Sequence, residues 1–208
     1  MARRGGRGRS RVAREAGEKV QEAIEKLVKR GRRGGDRGGP PGGPPRRRGD
    51  RDYPDDPLFA AANRNVDLDR ITPPGHVRRT DDRPLVRSDP RHPDHIFENG
   101  FQPRDVGPSG NYDLDRHVSQ NQPGPFVSTS YGDEVTDGFD GEYRYDIDAP
   151  GGIDMRRSPG VRANEGEAEI AFPGGIDPRF VRGAQQYDDW GNPTGDYRPN
   201  PHYRDWRT

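Results

Sequence analysis

From Gly31 to Arg51 the chain reads GRRGGDRGGPPGGPPRRRGDR, without one aliphatic or aromatic side chain. A segment with nothing to bury cannot repay the entropy of ordering, so it is expected to be disordered. It also divides the chain. Residues 1 to 51 carry 17 Lys/Arg against 6 Asp/Glu, a net +11, and the remainder carries 18 against 29, a net −11. The formal total of zero therefore hides a strongly dipolar chain. Before the divide, residues 11 to 30 set Val12, Val20, Ile24, Leu27 and Val28 among Glu and Lys, which predicts a weakly amphipathic helix ended by Gly31. The opening MARRGGRGRS is basic but no apolar stretch follows it, so neither a Sec signal nor a membrane anchor is expected.

Whatever folds is expected beyond this arm, and it must be small. With 29 Gly, 22 Pro and only 26% hydrophobic residues in 208, one modest core plus tails is the expectation. Residues 52 to 82, with PDDP and TPPG, read as linker with one short helix near Leu58 to Arg64. Periodicity then predicts a strand Leu85-Val86-Arg87 and a helix from His92-Pro93 to Asn99, stopped by Gly100. A second helix is expected around Leu114 to Gln120. Strands are expected over Phe126 to Ser130 and over Tyr143 to Asp148, where Tyr143, Tyr145 and Ile147 alternate at period two. The stretch from Ala149 to Glu165 reads as a long Gly-rich loop, and a last strand is expected from Arg179 to Gln186. The expected organisation is thus an arm over 1–83, a domain over 84–187 and a tail over 188–208. In that tail Tyr187-Asp188-Asp189-Trp190 is echoed by Tyr203-Arg204-Asp205-Trp206, an echo without a reading from sequence.

The stretch with the strongest chemical signal is EAEIAFPGGI, residues 167 to 176. On a strand, Glu167 and Glu169 would project to one face while Ala168 and Ile170 take the other. Pro173-Gly174-Gly175 would close the strand in a turn. Paired carboxylates suit acid/base or cation-stabilising work, although such a pair is ordinarily just the solvated face of a half-buried sheet. Upstream company changes that weighing: Arg87 ends the apolar run RPLVR, and Ser128-Thr129-Ser130 ends the strand beginning at Phe126.

An arginine, a Ser-Thr-Ser strand and a Glu-x-Glu, in that order, resemble the NAD-dependent mono-ADP-ribosyltransferase toxins of the cholera and pertussis type. The likeness runs from about Arg83 to Gln186 through LVRSDPRHPDHIFENGFQPRD, DLDRHVSQNQPGPFVSTS, YRYDIDAPGG and EAEIAFPGGIDPRFVRGA. IAFPGGI is also similar to the guanine-modifying, pierisin-like branch. Two departures stand out: YGDEVTDGFDG is short and Gly-rich for a helix, and no cysteine is present for a toxin-type disulfide. The resemblance implies an α+β fold, a small split and bent antiparallel sheet with few short helices, and NAD as co-substrate.

It also implies roles. Glu169 would accept the hydroxyl of the nicotinamide ribose and stabilise the cation that forms when nicotinamide leaves, an oxocarbenium problem like that of glycosidases. Ser128 would hydrogen-bond Glu169, with Thr129 and Ser130 supporting the strand and pocket. Arg87 would hold the NAD phosphates and ribose, and Arg156 and Arg157 in the long loop would meet the phosphates. His117 resembles an active-site histidine of the cholera-type branch. The family often stacks an aromatic on the nicotinamide from that loop; here Ile153 or Met155 would have to substitute. Glu167 would orient the acceptor and help remove its proton. Since the family associates Glu-x-Glu with arginine, the implied acceptor is an arginine of a target protein. Guanine in DNA or nucleotides is the alternative, and a nucleic-acid-binding protein with a degenerate catalytic domain is a reading of a different class.

Other constellations carry less. His92 and His95 lack a second ligand pair, so no metal is expected. Asp67-Leu68-Asp69 and Asp113-Leu114-Asp115 lack the Gly and Glu of a calcium loop, and no phosphate-binding Gly motif follows a strand. The arginine-rich arm allows nonspecific nucleic-acid binding, but no aromatic is interleaved for base stacking; the plainer reading is a linker or a segment read by a delivery machine. A non-Sec route into a target cell and an immunity partner fit a toxin-like enzyme.

Overall fold

The computed structural model describes residues 54–132, 143–163, 168–188 and 191–208. Residues 1–53, including the segment expected to be disordered and the helix expected over 11 to 30, and Glu167 lie outside the described residues.

Eight strands form one antiparallel sheet: β1 (Val77–Arg78), β2 (Leu85–Asp89), β3 (Phe126–Tyr131), β4 (Tyr143–Ile147), β5 (Ile153–Asp154), β6 (Glu169–Pro173), β7 (Val181–Tyr187) and β8 (Pro193–Pro199), in the order β1-β5-β6-β3-β2-β4-β7-β8. Two short α-helices, α1 (Pro93–Asn99) and α2 (Leu114–Gln120), are present among the described residues, where no helix is long and apolar enough to cross a membrane. This is the expected α+β fold with an antiparallel sheet and few helices.

The helices begin and end where their caps dictate. Before α1, the His92 side chain accepts from the Asp94 N–H, and Pro93 occupies the first turn. Gly100, at φ 68°, stops the helix. Before α2, Asp113 accepts from the Arg116 N–H, and Asn121 closes it in the left-handed conformation at φ 47°. Leu114 and His117, three residues apart, share the buried face of α2.

The sheet separates two apolar clusters. Ile96, Phe97, Phe101, Tyr145, Ile147, Ile170, Phe172 and Phe180 belong to the first; Ile71, Tyr112, Leu114, Phe126, Ile153, Met155 and Ala171 belong to the second. Strand β6 lies between them, with Ile170 and Phe172 in one and Ala171 in the other, so all five of its residues are buried. Its closing turn needs glycine. Gly174 and Gly175 both sit at φ 78°, and a Cβ on Gly175 would fall 2.0 Å from the Phe101 carbonyl oxygen. That close approach lets Phe101 and Ile176 exchange backbone hydrogen bonds of 2.8 and 2.9 Å.

The sheet opens beside the serine strand. β2 pairs with β4 along its whole length, from Leu85 opposite Ile147 to Asp89 opposite Tyr143. With β3 it pairs only at Leu85 opposite Tyr131 and Val86 opposite Ser130. Beyond Val86 the two strands diverge, and the cleft between them begins.

Several expectations change. No helix forms near Leu58 to Arg64: Phe59 and Ala61 make single turns onto Asp56 and Leu58, and the Asn63 N–H is drawn away to the Gly174 carbonyl. The stretch after Ala149 contains β5, paired with β1 and β6. A 3₁₀ turn, Pro178–Phe180, precedes β7 where strand was expected from Arg179. Residues beyond the expected limits of 84 and 187 also enter the fold. Arg79, 2% exposed, donates to the carbonyls of Ala149 (2.9 Å), Gly151 (3.3 Å) and Arg83 (2.7 Å). At the other end β8 joins β7, and Asp148 accepts from Tyr203 Oη (2.6 Å), Trp206 Nε1 (3.3 Å) and both terminal nitrogens of Arg207 (2.8 and 2.5 Å). The second Tyr-x-x-Trp thus has a physical account: its aromatic heads grip the carboxylate at the end of β4.

Candidate active site

Four elements, β2, β3, β6 and α2, carry the expected site residues. β3 and β6 pair with Ser130 opposite Glu169 and Ser128 opposite Ala171, so both serines and Glu169 share one face. α2 presents His117 there. Its Nε2 stands 2.9 Å from Ser128 Oγ and 3.5 Å from Glu169 Oε1. His117 and Glu169 are 6% and 7% exposed. The expected direct bond from Ser128 to Glu169 is not made; the hydroxyl pairs with the imidazole, which stands between them. Among the described residues, His117 Nδ1 is buried without a hydrogen-bond partner.

Thr129 faces the opposite side, as alternation requires, and its Oγ1 donates to the Ile170 carbonyl at 3.0 Å. It ties β3 to β6 and is 2% exposed. Ser130 is half-buried beside Glu169.

Arg87 comes from β2. Its Nη1 donates to the Ser128 carbonyl at 2.7 Å and its Nη2 to Asp89 at 3.3 Å, while its Nε is buried without a partner. Burial lowers the Arg87 pKa; Asp89 opposes that, and the nearby guanidinia of Arg91 and Arg104 add to it. Asp89 is gripped from the other side by Arg91, through Nε and Nη2 at 2.7 Å each. Burial pushes the Asp89 carboxyl up, but the bonds from Arg91 and the charge of Arg87 outweigh it and leave its pKa lowered. Beneath this cluster lies the Phe101 ring, 5.4 Å from the Arg87 guanidinium and 5.7 Å from that of Arg91.

Asp89, Arg91 and Phe101 were not singled out as site residues from sequence, although all three stand in the first matched block. Their spacing carries no periodic signal, because they meet only through the turn between β2 and α1.

Arg156 is exposed one residue beyond Met155, whose N–H donates to the Glu169 carbonyl at 3.1 Å, and Arg157 is exposed beside it. Ile153 and Met155, 3% and 0% exposed, are locked in the second apolar cluster. Glu167 lies outside the described residues, but the strand geometry expected of the pair is interrupted: β6 starts at Glu169, and Ala168 sits in the left-handed region at φ 45°.

Known proteins share this fold and much of this sequence. The Scabin-like family profile matches residues 85–203. A guanine-specific ADP-ribosyl transferase of Streptomyces coelicolor is 42% identical over 156 residues, covering 73% of this chain and 76% of the relative. Pierisin of Pieris brassicae is 32% identical over 153 residues, 62% of this chain but only 18% of that larger protein. A solved guanine-specific ADP-ribosyltransferase with NADH and GDP superimposes with a TM-score of 0.67 at 42% identity, covering 74% of this chain and 97% of that one.

Proposed function

Because the chain belongs to the Scabin-like family, and is therefore an NAD-dependent mono-ADP-ribosyltransferase, we propose that its acceptor is the guanine base of a nucleotide or of DNA. The observation that carries this reading is the 42% identity, over 73% of the chain, to a relative named guanine-specific. The solved neighbour holding NADH and GDP supports it. This replaces protein arginine as the leading acceptor. The arginine reading keeps one support, the glutamate at position 167 of Glu167-x-Glu169.

In the proposed reaction the bond between ribose and nicotinamide breaks, nicotinamide leaves neutral with the bonding pair, and positive charge develops on the sugar. Glu169 is assigned to that charge. It is a nearly buried carboxylate held by His117, and a preorganised anion in a water-poor cleft stabilises a developing cation more than solvent does. Ser128 acts on Glu169 through His117. A guanine nitrogen then bonds to the ribose carbon and gives up a proton, which Glu167 is assigned to receive. Arg87, fixed by Ser128 and Asp89, places positive charge at the cleft for the NAD phosphates.

The test is direct. The full chain is incubated with labelled NAD and, in parallel, GMP, duplex DNA, agmatine and a mixture of lysate proteins. Label on GMP or DNA with none on agmatine or protein is the expected result. Label on agmatine or on protein arginine, with guanine untouched, would overturn the acceptor assignment while leaving the NAD chemistry in place.

A further inference from the structure

Between Met155 and Arg162 the chain runs from the strand that carries Glu169 to the helix that carries His117. At one end the Met155 N–H donates to the Glu169 carbonyl at 3.1 Å. At the other, Arg162 grips Asp115, which stands just before His117 on α2. The Arg162 main-chain N–H (2.9 Å) and Nε (3.1 Å) donate to Asp115 Oδ1, and its Nη2 donates to Oδ2 at 2.7 Å. Both ends of the segment are thereby fastened to the elements whose His117 and Glu169 side chains meet at 3.5 Å.

The turn between these ends is held in shape. Buried Asp154 accepts the Arg157 N–H on Oδ1 at 3.1 Å. Buried Ser158 donates from Oγ to the Asp154 carbonyl at 2.7 Å and accepts the Val77 N–H at 2.9 Å. Met155 and Val161 pack into the second apolar cluster, while Arg156 and Arg157 are exposed. Two adjacent guanidinia are thus presented from a fixed turn beside the catalytic strand.

Charge sets this turn apart. Residues 155 to 163 contain Arg156, Arg157 and Arg162 and no Asp or Glu, within residues 52 to 208 that carry 18 Lys/Arg against 29 Asp/Glu, a net −11. Asp115 pairs with Arg162, which leaves Arg156 and Arg157 as the charges that a polyanion would meet on an otherwise repelling chain. The sheet order β5-β6-β3-β2 puts this turn and Arg87 on opposite sides of Glu169. With the NAD diphosphate assigned to Arg87, positive charge on the other side is left for the acceptor. Consecutive Cα atoms are 3.8 Å apart, so Arg157 starts within about 8 Å of Met155, close to the rise of two nucleotides at about 3.4 Å each. A guanine at Glu169 would therefore have the phosphates of its chain neighbours within reach of the pair.

We propose that the Arg156-Arg157 turn binds the backbone phosphates of a nucleic-acid strand, so that the acceptor guanine is taken from a polynucleotide in preference to a free nucleoside. This rests on the guanine reading above and names its substrate class.

The experiment compares the full chain with the double variants Arg156→Gln/Arg157→Gln and Arg156→Lys/Arg157→Lys. Each is assayed for KM of NAD, for transfer to guanosine and to a single-stranded oligodeoxynucleotide holding one guanine, and for binding of that oligonucleotide over a salt series. The basic arm is present in all three proteins, so its share of binding cancels. The glutamine pair should lower kcat/KM for the oligonucleotide about tenfold near physiological salt and lower it far less for guanosine. It should also reduce the slope of log Kd against log salt by about 1.4, the value for two phosphate contacts on a single strand. The lysine pair should restore most of the loss, since a point charge serves a phosphate. Equal losses with both acceptors, accompanied by a raised KM for NAD, would give the pair to the NAD phosphates and overturn the proposal. Equal losses accompanied by a lower melting temperature would make the turn purely structural and overturn it as well, as would an unchanged oligonucleotide preference and salt slope. Should wild-type protein modify guanine in neither acceptor, the guanine reading fails, and the salt slope of oligonucleotide binding still decides whether the turn holds phosphate.

Discussion

Arg87 donates from Nη1 to the main-chain carbonyl of Ser128 at 2.7 Å, across the place where β2 and β3 have ceased to pair. The arginine thus closes the split that makes the cleft. Its other arm reaches Asp89, so a planar, forked cation is required. Arg87→Lys should leave the Ser128 carbonyl without its partner, at a cost of roughly 1–3 kcal/mol. On the proposed assignment the efficiency of NAD hydrolysis should also fall about 10²-fold or more. Thermal melts and hydrolysis kinetics read the two effects separately, and hydrolysis within threefold of wild type would refute the assignment.

The imidazole of His117 touches both Ser128 Oγ and Glu169 Oε1, so the three residues should behave as one unit. His117→Ala and Ser128→Ala are each expected to lower kcat for NAD hydrolysis, with the histidine change the larger because it releases Glu169 directly. The double substitution should cost little more than His117→Ala alone, since the serine acts through the ring. Additive losses in such a cycle would instead give Ser128 its own contact with the substrate.

The C-terminal clamp predicts a pH dependence of stability. Burial pushes the Asp148 carboxyl up, but hydrogen bonds from Arg207 and Tyr203 and the charge of Arg207 leave its pKa below the ordinary aspartate value. A group depressed in the folded state adds stability above its unfolded pKa of about 3.9, and that stability is lost as pH falls through the lower folded value. Asp148→Asn strands Arg207, 17% exposed, and should cost about 3 kcal/mol near neutral pH. Below the lowered folded value wild type and variant should converge. Melting curves across this range check it; a constant gap would mean that the carboxylate charge is irrelevant.

Much of this was legible in the chain. The alternation of Tyr143, Tyr145 and Ile147, the caps His92-Pro93 and Gly100, and the turn at Gly174-Gly175 are local signals, and each produced the element expected of it. What failed was non-local. The grip of Tyr203 and Trp206 on Asp148 joins residues more than fifty positions apart, and β8, which folds back on β7 nearby in the chain, is almost wholly exposed, so no apolar period announces either. Met155 was expected to face the nicotinamide because a Gly-rich loop was expected around it; β5 turns it into the core instead. Within the site, the order of Arg87, Ser128 and Glu169 was plain from motif, whereas Asp89 and Arg91 meet Arg87 only in the folded chain.

The two glutamates provide the last prediction. A pleated strand would have forced Glu167 and Glu169 onto one face and made their roles hard to separate. Here β6 begins only at Glu169, and Ala168 holds φ 45° with its side chain packed in the first apolar cluster. A left-handed alanine costs on the order of 1–3 kcal/mol and persists only where packing enforces it. The pleated-strand relation expected between the two glutamates is therefore interrupted at Ala168. Glu169→Gln should abolish NAD hydrolysis and transfer together, because both pass through the same charged sugar. Glu167→Gln should spare hydrolysis, where water is the acceptor, and depress transfer to guanine. Ala168→Gly releases the turn without touching either carboxylate, so it should lower transfer more than hydrolysis. Equal loss of both activities in Glu167→Gln would show that the two carboxylates share one task, and untouched transfer would remove Glu167 from the reaction.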